Sequence, residues 1–310
     1  MEIKSTNMKS VGIVLVNWNG LEHTLKCISS LREVSYANMT IILVDNGSEQ
    51  KEVEKLREVS NIRLIENPGN LGFTGGNNVG LKYAYDQGFD FIMMLNNDTT
   101  VEPDFLEPLL AAFDESVGAV QPKICSMHET DIIWSAGGKL NPWIGLPTTI
   151  GEGLLDHGSY DDFRELDWIT GCALLFSRQM IEKVGYLDDD FFILFEDANW
   201  SLRCRHKGYK LNYVPTSKIY HFESATAIAR TKGKEGFRSP FRQYINIRNH
   251  LFFVRKSLPA RYLPTAYFYQ IIKITKYLLY YVLRGRWQKF RFTLRGVKHG
   301  LGKFRKIEFK

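Results

Sequence analysis

The segment VGIVLVNWNG, residues 11–20, decides the fold of this chain of 310 residues. Its first six residues carry no charge and are mostly β-branched, which is typical of a strand buried inside a sheet. Polar residues follow at once, beginning with Asn17 and Asn19. Apolar side chains then recur with helical spacing over residues 21–31. A buried strand that leads through a polar end into a helix is the first unit of an α/β domain.

The same pattern recurs within the first hundred residues. Thr40–Val44 and Phe91–Leu95 predict two further buried strands, and residues 77–85 predict a helix. The pair Asp45-Asn46 follows the second strand, and Asn96-Asn97-Asp98 follows the third. Open α/β sheets bind ligands outside the carboxyl ends of their strands. The three polar ends therefore predict a crevice along one edge of a mainly parallel sheet.

Residues 67–78, NPGNLGFTGGNN, contain four glycines and four asparagines. Glycine lets the backbone approach a ligand closely, and free amides at a helix start bind phosphate or ribose oxygens. The spacing is not GxGxxG, so a dinucleotide site of the Rossmann type is not indicated. The segment is either a nucleotide-binding loop or a glycine-rich turn capped by asparagines.

Two residues are candidates for holding a divalent cation. Asp98 places a carboxylate at the tip of a buried strand, and such cations take one or two carboxylates together with substrate phosphates. His221 ends the strand-like run KIYHF, residues 218–222, and a neutral imidazole can bind a metal or a phosphate. Asp also favours turns without any metal, and a single His is often structural. From the residues alone, the structural interpretation is preferred for His221, and both interpretations stay open for Asp98.

The pair Glu196-Asp197 follows the largely aromatic run FFILF, residues 191–195, and opens a predicted helix over residues 197–207 that Gly208 ends. A carboxylate held there could accept a proton from an attacking hydroxyl group, as a general base does. It could equally cap the helix, because acidic residues in the first turn complement the helix dipole. The residues alone favour neither role.

The net charge of +6 is unevenly distributed. Residues 1–229 carry 19 Lys and Arg against 32 Asp and Glu, which gives −13, whereas residues 230–310 carry 21 against 2, which gives +19. Helical periodicity returns from about Ser239, so we place a domain boundary near residue 230. An acidic body with a basic tail suggests a catalytic domain and a segment that meets an anionic partner.

The basic tail contains a predicted helix, Tyr262–Leu283, in which Lys273 and Lys276 interrupt an aromatic and aliphatic sequence. Such a helix can lie in a membrane interface, where each basic residue near an anionic surface contributes about 1 kcal/mol. It can also be a cap on the catalytic domain with a solvated basic face. No recognised nucleic-acid-binding motif accompanies the charge, so we expect no nucleic-acid partner.

Cysteine usage and apolar runs indicate the compartment. The cysteines lie far apart without a CxxC pair, so we expect reduced, structural thiols and no zinc site. Only a short apolar run follows Lys4 and Lys9, so no signal peptide is predicted. No run of 18 apolar residues is present, and we therefore expect a cytoplasmic protein without a membrane-spanning helix. The four cysteines are Cys27, Cys125, Cys172 and Cys204.

Taken in order, these segments resemble the inverting glycosyltransferases of family 2, which have the GT-A fold. The resemblance covers roughly residues 11–230 and is greatest to bacterial rhamnosyltransferase-like members. Its opening strand, its base-binding strand end and its nucleotide-contacting loop match VLVNWNG (14–20), VDNGS (44–48) and NLGFTGGN (70–77). The pair Glu196-Asp197 matches the family's xED motif.

This resemblance implies a role for each segment. Residues 1–100 would bind the nucleotide sugar, residues 101–230 would form the acceptor half, and residues 231–310 would associate with a membrane. Asp197 would be the base, with Glu196 beside it. The nucleotide would contact Asn17, Asn19, Asp45, Asn46, Asn70, Gly72, Gly75, Asn77 and Asn97, and the donor or acceptor side would be lined by Trp134, Trp168 and Gly171.

The family's DxD metal motif falls on Asn96-Asn97-Asp98, where Asn replaces the first Asp. By the resemblance, Asp98 would therefore carry most of the contact with Mg²⁺ or Mn²⁺, and His221 would support the metal or the diphosphate. The missing first carboxylate leaves open how strictly such an enzyme depends on its metal.

The implied reaction is a single displacement with inversion, from a dTDP- or UDP-linked sugar, with rhamnose as the first candidate. The acceptor would be a hydroxyl group of a lipid-linked or polysaccharide glycan of the cell surface, met at the inner face of the plasma membrane. Two rival functions stay open. A sugar-nucleotide nucleotidyltransferase would carry a basic triphosphate loop where this chain has Asn17-Trp18-Asn19-Gly20. A non-catalytic nucleotide-sugar-binding protein would not need Asp197.

Overall fold

A computed structural model describes residues 8–222, residue 235 and residues 239–302. The strands in these ranges are β1 Val11–Asn17, β2 Met39–Asp45, β3 Arg63–Glu66, β4 Phe91–Leu95, β5 Thr99–Val101, β6 Val117–Ser126, β7 Ile133–Ser135, β8 Gly138–Asn141, β9 Leu146–Thr149, β10 Arg164–Glu165, β11 Ala173–Ser177 and β12 Lys210–His221. The helices are α1 Leu21–Arg32, α2 Gln50–Arg57, α3 Gly72–Asp86, α4 Leu106–Ala111, α5 Gln179–Lys183, α6 Glu196–His206, α7 Pro240–Ser257, α8 Leu263–Leu283 and α9 Trp287–Leu301, with a 3-10 turn at Ala260–Tyr262.

The first half of the sheet is parallel. β1 lies between β2 and β4, and β3 extends the sheet on the far side of β2, all four strands running in the same direction. The register places Asn17 opposite Asp45, so the polar ends of β1 and β2 lie side by side. The apolar residues of these strands are buried on both faces by flanking helices. The predicted α/β class and the shared edge of polar strand ends are confirmed.

The second half of the sheet mixes directions. β11 pairs antiparallel with both β4 and β6, while β12 pairs parallel with β6. The short β5 pairs antiparallel with the end of β12, so that Thr99 lies opposite His221 and Val101 opposite Ile219. This arrangement brings the carboxyl end of β12, with His221, beside the residues that follow β4. The sheet is therefore mainly parallel, with an antiparallel strand inserted where the two halves meet.

One expected helix differs from the structure in the residue at which it begins. The helix expected over residues 77–85 begins five residues earlier, so α3 includes part of the glycine-rich segment. The reason is Gly72, whose φ of +78° lets the chain turn directly into the helix. The apolar run at residues 168–176 is a strand only from Ala173, because residues 168–172 form a loop that bonds to α6. The predicted helix over residues 197–207, ended by Gly208 with a φ of +90°, is confirmed as α6.

The C-terminal helices pack on the preceding α/β part of the chain through α7. Ser239 caps this helix by accepting a hydrogen bond from the N–H of Arg242 (3.1 Å), as the return of helical periodicity at Ser239 predicts. Phe252 and Phe253 of α7 are fully buried against Phe191. Helices α8 and α9 then pack on α7 and leave their outer faces to solvent. Among the described residues, no helix has the length and apolar character to span a bilayer.

All four cysteines are buried and free, which agrees with the expectation of structural thiols. All four belong to the two large apolar clusters on either face of the sheet, Cys27 and Cys172 to one and Cys125 and Cys204 to the other.

Candidate active site

The ends of β1, β2 and β4 are joined by a network of buried side chains. Asn17 donates through Nδ2 to Oδ1 of Asp45 (3.1 Å) and to Oγ of Ser48 (3.0 Å). Its Oδ1 accepts from Oγ1 of Thr24 (2.8 Å), which in turn accepts from Nδ2 of Asn97 (2.7 Å). Asn17 is fully buried, so its bonds fix the neighbouring strand ends in place. Through Asn97 the network reaches the residues that follow β4.

Asp45 and Asn19 shape the loops that continue from these strands. Oδ2 of Asp45 accepts from the N–H groups of Gly47 (3.2 Å) and Ser48 (3.1 Å), which closes a tight turn. Asn19, with a φ of 50°, accepts through Oδ1 from the N–H of Glu49 (2.9 Å). The N–H of Asn19 also donates to Oγ of Ser48 (3.0 Å). The two loops are thus tied into one rim at the edge of the sheet.

Asn46 holds the glycine-rich segment against the end of β2. Its Nδ2 donates to the carbonyl oxygen of Gly72 (3.0 Å) and to Oδ1 of Asn70 (3.2 Å). Its Oδ1 accepts from the N–H of Leu71 (3.1 Å) and from Nδ2 of Asn67 (3.1 Å). Three of the residues expected to contact the nucleotide, Asn46, Asn70 and Gly72, are therefore in direct contact with one another.

The remainder of the glycine-rich segment belongs to α3. A Cβ atom on Gly76 would lie 2.8 Å from Cγ1 of Val16, so this glycine allows the helix to pack closely on β1. Asn77 is buried, and its Nδ2 donates to the carbonyl oxygen of Phe73 (2.8 Å), one turn earlier. Gly75 is half-buried and, with Asn70, lines a cleft of about 430 Å³ between the start of α3 and residues 189–192. Part of the segment therefore serves helix packing and part faces an open cleft.

The residues proposed for a cation meet at the junction of β4 and β12. Nε2 of His221 lies 3.0 Å from Oδ1 of Asp98 and 3.3 Å from Nδ2 of Asn96. The N–H of Phe222 donates to the carbonyl oxygen of Asp98 (2.8 Å), which fastens the two chain segments together. Trp134 packs the edge of its ring against the imidazole, with ring centroids 4.4 Å apart. The pair is nearly buried, with side-chain exposures of 6% for His221 and 12% for Asp98.

The surroundings of His221 favour the protonated, positively charged form of its imidazole. Burial alone lowers the pKa of His221, but the neighbouring Cys172 and Asp98 raise it by more, to about 10. The described residues hold no cluster of three or more His, Cys, Asp or Glu side chains that could enclose a metal ion. One carboxylate and one imidazole fit a cation that takes its other ligands from substrate phosphates and water, as Mg²⁺ commonly does. A bound cation would compete with the imidazole proton.

Glu196 and Asp197 are the first two residues of α6. Oδ2 of Asp197 accepts from the N–H of Gly171 (3.0 Å), and its Oδ1 accepts from the N–H of Ala198 (2.7 Å). Glu196 is 4% exposed, whereas Asp197 is only partly buried. Burial raises the pKa of Glu196 well above its ordinary value, and the charge of Asp197 adds to the shift.

The hydrogen bonds of this pair favour a negative charge on Asp197. Burial raises the pKa of Asp197 too, but its bonds from the N–H groups of Gly171 and Ala198 oppose that shift. Those bonds stabilise the ionised form of Asp197, whereas Oε2 of Glu196 is buried without a hydrogen-bond partner among the described residues. A partly buried carboxylate with a raised pKa, reachable from solvent, is the chemical description of a general base.

A short loop connects the two carboxylate sites. Gly171 bonds to Asp197, and the next residue, Cys172, accepts through its carbonyl oxygen from the N–H of Asn96 (2.8 Å). Gly171 also lies under the ring of Phe73 in α3, where a Cβ atom would be 3.1 Å from the ring. The structure therefore brings Asp197, the residues after β4 and the start of α3 together around the loop of Gly171 and Cys172.

The two tryptophans predicted to line the site differ in position. Trp134 contacts His221 and belongs to the site. Trp168 packs instead across the β8–β9 hairpin, where its Nε1 donates to the carbonyl oxygen of Lys139 (3.1 Å) and its ring covers Gly138.

Sequence reasoning did not single out Thr24, Ser48 or Cys172 as site residues. Each contacts a predicted residue: Thr24 and Ser48 contact Asn17, and Cys172 lies beside His221. Ser48 follows the second polar strand end and could have been found by that proximity. Thr24 and Cys172 are brought to the edge by the packing of α1 and by the antiparallel β11, which no local signal reveals.

The mixed α/β sheet with its polar strand ends agrees with the GT-A fold that the sequence resemblance implies. The sequence profile of glycosyl transferase family 2 matches residues 12–185. The chain belongs to this family. The matched region includes the strand ends and Gly171, whereas Asp197 and His221 lie beyond it.

Two named relatives are glycosyl-transferring enzymes. The low-salt glycan biosynthesis hexosyltransferase of Haloferax volcanii is 22% identical over 80% of this chain and 76% of its own. The dTDP-rhamnosyl transferase RfbF of Shigella flexneri is 24% identical over 79% of each chain.

Solved structures show the same fold. A mannosyltransferase from Pyrobaculum calidifontis, in complex with GDP-Man and Mn²⁺, aligns with a TM-score of 0.55 at 14% identity, over 96% of this chain and 88% of that one. GalNAc-T7 with UDP, GalNAc and Mn²⁺ aligns with a TM-score of 0.57 at 17% identity, over 70% of this chain and 44% of that longer one. The likeness confirms the GT-A architecture.

Proposed function

We propose that this protein transfers a hexosyl group, with inversion, from a nucleoside-diphosphate sugar to a hydroxyl group of a glycan acceptor, with Asp197 as the base. The observation that carries the proposal is the contact of Asp197 with Gly171, whose neighbour Cys172 bonds to the residues after β4. Because of this link, one carboxylate faces the same space as the strand ends that bind nucleotides in this class of fold.

The chemistry follows from this geometry. Asp197 takes the proton of the acceptor hydroxyl group as its oxygen attacks the anomeric carbon. The bond from that carbon to the diphosphate oxygen breaks, and the electron pair leaves with the nucleoside diphosphate. A single displacement of this kind inverts the anomeric centre. Burial of Glu196 disfavours its charged form, and the hydrogen bonds to Asp197 favour the negative charge on Asp197.

Asp98 and His221 would hold the divalent cation. When bound, the cation offsets the charge that develops on the leaving diphosphate. Support comes from their contact at the strand ends and from the Mn²⁺ in the two structural neighbours. Asn97 bonds to Thr24, which bonds to Asn17, so the residues after β4 would be held in place relative to the end of β1.

The donor sugar is proposed from a relative. The Shigella flexneri protein is a dTDP-rhamnosyl transferase, so dTDP-rhamnose is the first donor to test. A ligand that binds the native protein but not the unfolded chain raises the melting temperature of the protein. We expect dTDP-rhamnose to raise it more than UDP- or GDP-linked sugars. A larger shift from another nucleotide sugar would replace rhamnose in the proposal.

The direct test of the mechanism is Asp197→Asn. Removal of the base should lower turnover, measured as release of nucleoside diphosphate in the presence of acceptor, by about 100-fold or more. The matched control is Asp104→Asn, an exposed aspartate outside the site, which should turn over like the wild type. A folded Asp197→Asn protein with near-normal turnover would exclude Asp197 as the base. Wild-type protein that releases no nucleoside diphosphate with any acceptor would favour a binding protein.

We further propose that residues 1–230 form the catalytic domain and that the helices after residue 231 bring it to the anionic inner face of a membrane, where a lipid-linked acceptor would be met. Support comes from the outer face of α8, where Phe268, Ile271, Leu279 and Leu283 are each more than 60% exposed. Exposed basic residues lie on α8, directly after α8, and on α9. They are Lys276, Arg284, Arg291, Arg295 and Lys298.

Liposome sedimentation tests the membrane proposal. The protein should sediment with vesicles that contain an anionic lipid and much less with neutral vesicles, because both charge and apolar area contribute. The double variant Leu279→Glu with Leu283→Glu should stay in solution. The control pairs Leu154→Glu with Leu155→Glu, which changes two equally apolar, exposed residues on the catalytic body. Equal sedimentation of both variants would remove α8 from the proposal.

A further inference from the structure

The segment that leads into Glu196-Asp197 has an unfavourable backbone. Phe192, Leu194 and Phe195 have φ values of 65°, 73° and 74°, and none of them is glycine. Such left-handed conformations are sparsely populated by ordinary residues and persist only where the surroundings impose them. Because Phe195 directly precedes Glu196, the direction in which α6 starts depends on this segment.

One side chain of α7 binds the segment. Nδ2 of Asn249 lies 2.7 Å from the carbonyl oxygen of Phe191, 2.7 Å from that of Ile193 and 2.9 Å from that of Leu194. An amide group has two hydrogens, so three acceptors share them. Asn249 is fully buried, which leaves no competing water at these bonds.

The preceding residue fixes the orientation of that amide. Nη1 of Arg248 donates to Oδ1 of Asn249 (2.7 Å), so the carbonyl side of the amide faces the guanidinium and its NH₂ group faces the segment. Nη2 of Arg248 donates to the carbonyl oxygen of Asp190 (2.7 Å), one residue before the part that Asn249 binds. Two adjacent side chains thus hold residues 190–194 through backbone carbonyl groups.

The other side of the segment touches the nucleotide-binding half. The carbonyl oxygen of Phe192 accepts from the N–H of Thr74 (3.0 Å) at the start of α3. A Cβ atom on Gly72 would lie 2.5 Å from the Phe192 ring, which shows how closely the segment and the glycine-rich turn pack. Residues 189–192 also form a wall of the cleft that Asn70 and Gly75 line.

We propose that Asn249 is a positioning residue for catalysis, which holds the left-handed segment 191–195 so that Asp197 and the start of α3 keep their mutual geometry. This inference rests on the proposed role of Asp197. It assigns a function in the reaction to α7, outside the region that the family profile matches.

The test compares Asn249→Ala with the control Ser257→Ala. The control removes a different hydrogen bond between α6 and α7, from Nδ2 of Asn199 to Oγ of Ser257 (2.9 Å). Displacement of a catalytic group by about 1 Å can lower turnover by about 100-fold. We expect Asn249→Ala to lower kcat by at least about 10-fold while the Kd of the nucleoside diphosphate, measured by calorimetry, changes by less than about 3-fold. Ser257→Ala should retain wild-type kcat.

Hydrogen exchange supplies a readout that does not depend on activity. Peptides that cover residues 188–199 should exchange faster in Asn249→Ala than in the wild type or in Ser257→Ala, because the segment opens more often. If Asn249→Ala does not fold, Asn249→Gln, which moves the amide outward by one methylene group, should show the same loss of kcat and faster exchange.

The outcomes separate the two proposals. A folded variant at position 249 with turnover within about 2-fold of the wild type would overturn the positioning role, even if Asp197→Asn is inactive. If Asp197→Asn is active, the assignment of the base fails, and accelerated exchange of residues 188–199 would then show only that Asn249 orders the segment, without a role in catalysis.

Discussion

Nε2 of His221 lies 3.0 Å from Oδ1 of Asp98, although 123 residues separate them in the sequence. The contact exists because β12 ends beside β5, which begins at Thr99, directly after Asp98. The N–H of Phe222 then bonds to the carbonyl oxygen of Asp98 and closes the junction. Two segments that are far apart in the sequence thereby place a carboxylate and an imidazole next to each other.

Asp98→Asn tests whether this pair holds a cation. Asparagine keeps the size of the side chain and can still bond to His221, but it removes the charge. Metal stabilisation of a leaving group is worth several kcal/mol, so turnover at saturating Mn²⁺ should fall by about 100-fold. The measurement is nucleoside diphosphate release across a Mn²⁺ titration, with Asp104→Asn as the control. An unchanged titration curve and rate would contradict a cation at Asp98.

The sequence predicts the parallel half of the fold well, for a physical reason. β1, β2 and β4 are buried on both faces, so each is an uninterrupted apolar run that ends abruptly in polar residues. Parallel pairing then brings those ends to one edge, as the contact of Asn17 with Asp45 shows. Local pattern and the rules of sheet topology are sufficient for this part.

Other features depend on contacts between distant residues. Nothing in the apolar run 168–176 indicates that only Ala173–Ser177 is a strand or that it enters the sheet antiparallel. The left-handed residues of the segment 191–195 have side chains that do not favour that conformation, so bonds from distant residues, among them Asn249 and Thr74, hold it in place. Asn249 itself is one polar residue in a helical pattern, and its role becomes visible only when its three acceptors are in place.

Gly72→Ala should damage both stability and nucleotide binding. The φ of Gly72 is +78°, and an added Cβ would lie 2.6 Å from the carbonyl oxygen of Phe192. A left-handed residue other than glycine costs about 1 to 2 kcal/mol, and the contact adds to this, so we expect a loss of at least about 2 kcal/mol of unfolding free energy. Denaturant unfolding measures the loss, and calorimetry should show nucleoside diphosphate binding weakened by about 10-fold or more.

Gly69→Ala is the matched control for this substitution. An added Cβ at Gly69 would have no atom within 4 Å, although the residue lies in the same segment. We therefore expect its unfolding free energy to stay within about 0.5 kcal/mol of the wild type. Similar behaviour of both variants would show that the turn at Gly72 tolerates a side chain and does not fix the start of α3.

A partly buried pair joins α8 to α7, and through His250 to the β8–β9 turn. Nζ of Lys273 lies 2.6 Å from Nδ1 of His250, and Nε2 of His250 lies 2.7 Å from the carbonyl oxygen of Gly145 in the β8–β9 turn. Burial, together with the charge of Lys273, lowers the pKa of His250 to about 3, so the imidazole is neutral and accepts from Lys273. Burial also lowers the pKa of Lys273, from its ordinary 10.5 to about 7.

Lys273→Met should therefore change how stability depends on pH. Between about pH 7 and about pH 10.5 the folded protein has lost the Lys273 proton that the unfolded chain still binds, so wild-type stability rises with pH. The slope from this group is at most about 1.4 kcal/mol per pH unit. Denaturant unfolding at several pH values should show the wild type gaining stability relative to Lys273→Met as pH increases. Lys276→Met, an exposed position on the same helix, is the control, and an equal pH dependence of wild type and Lys273→Met would show that Lys273 keeps its proton in the folded protein.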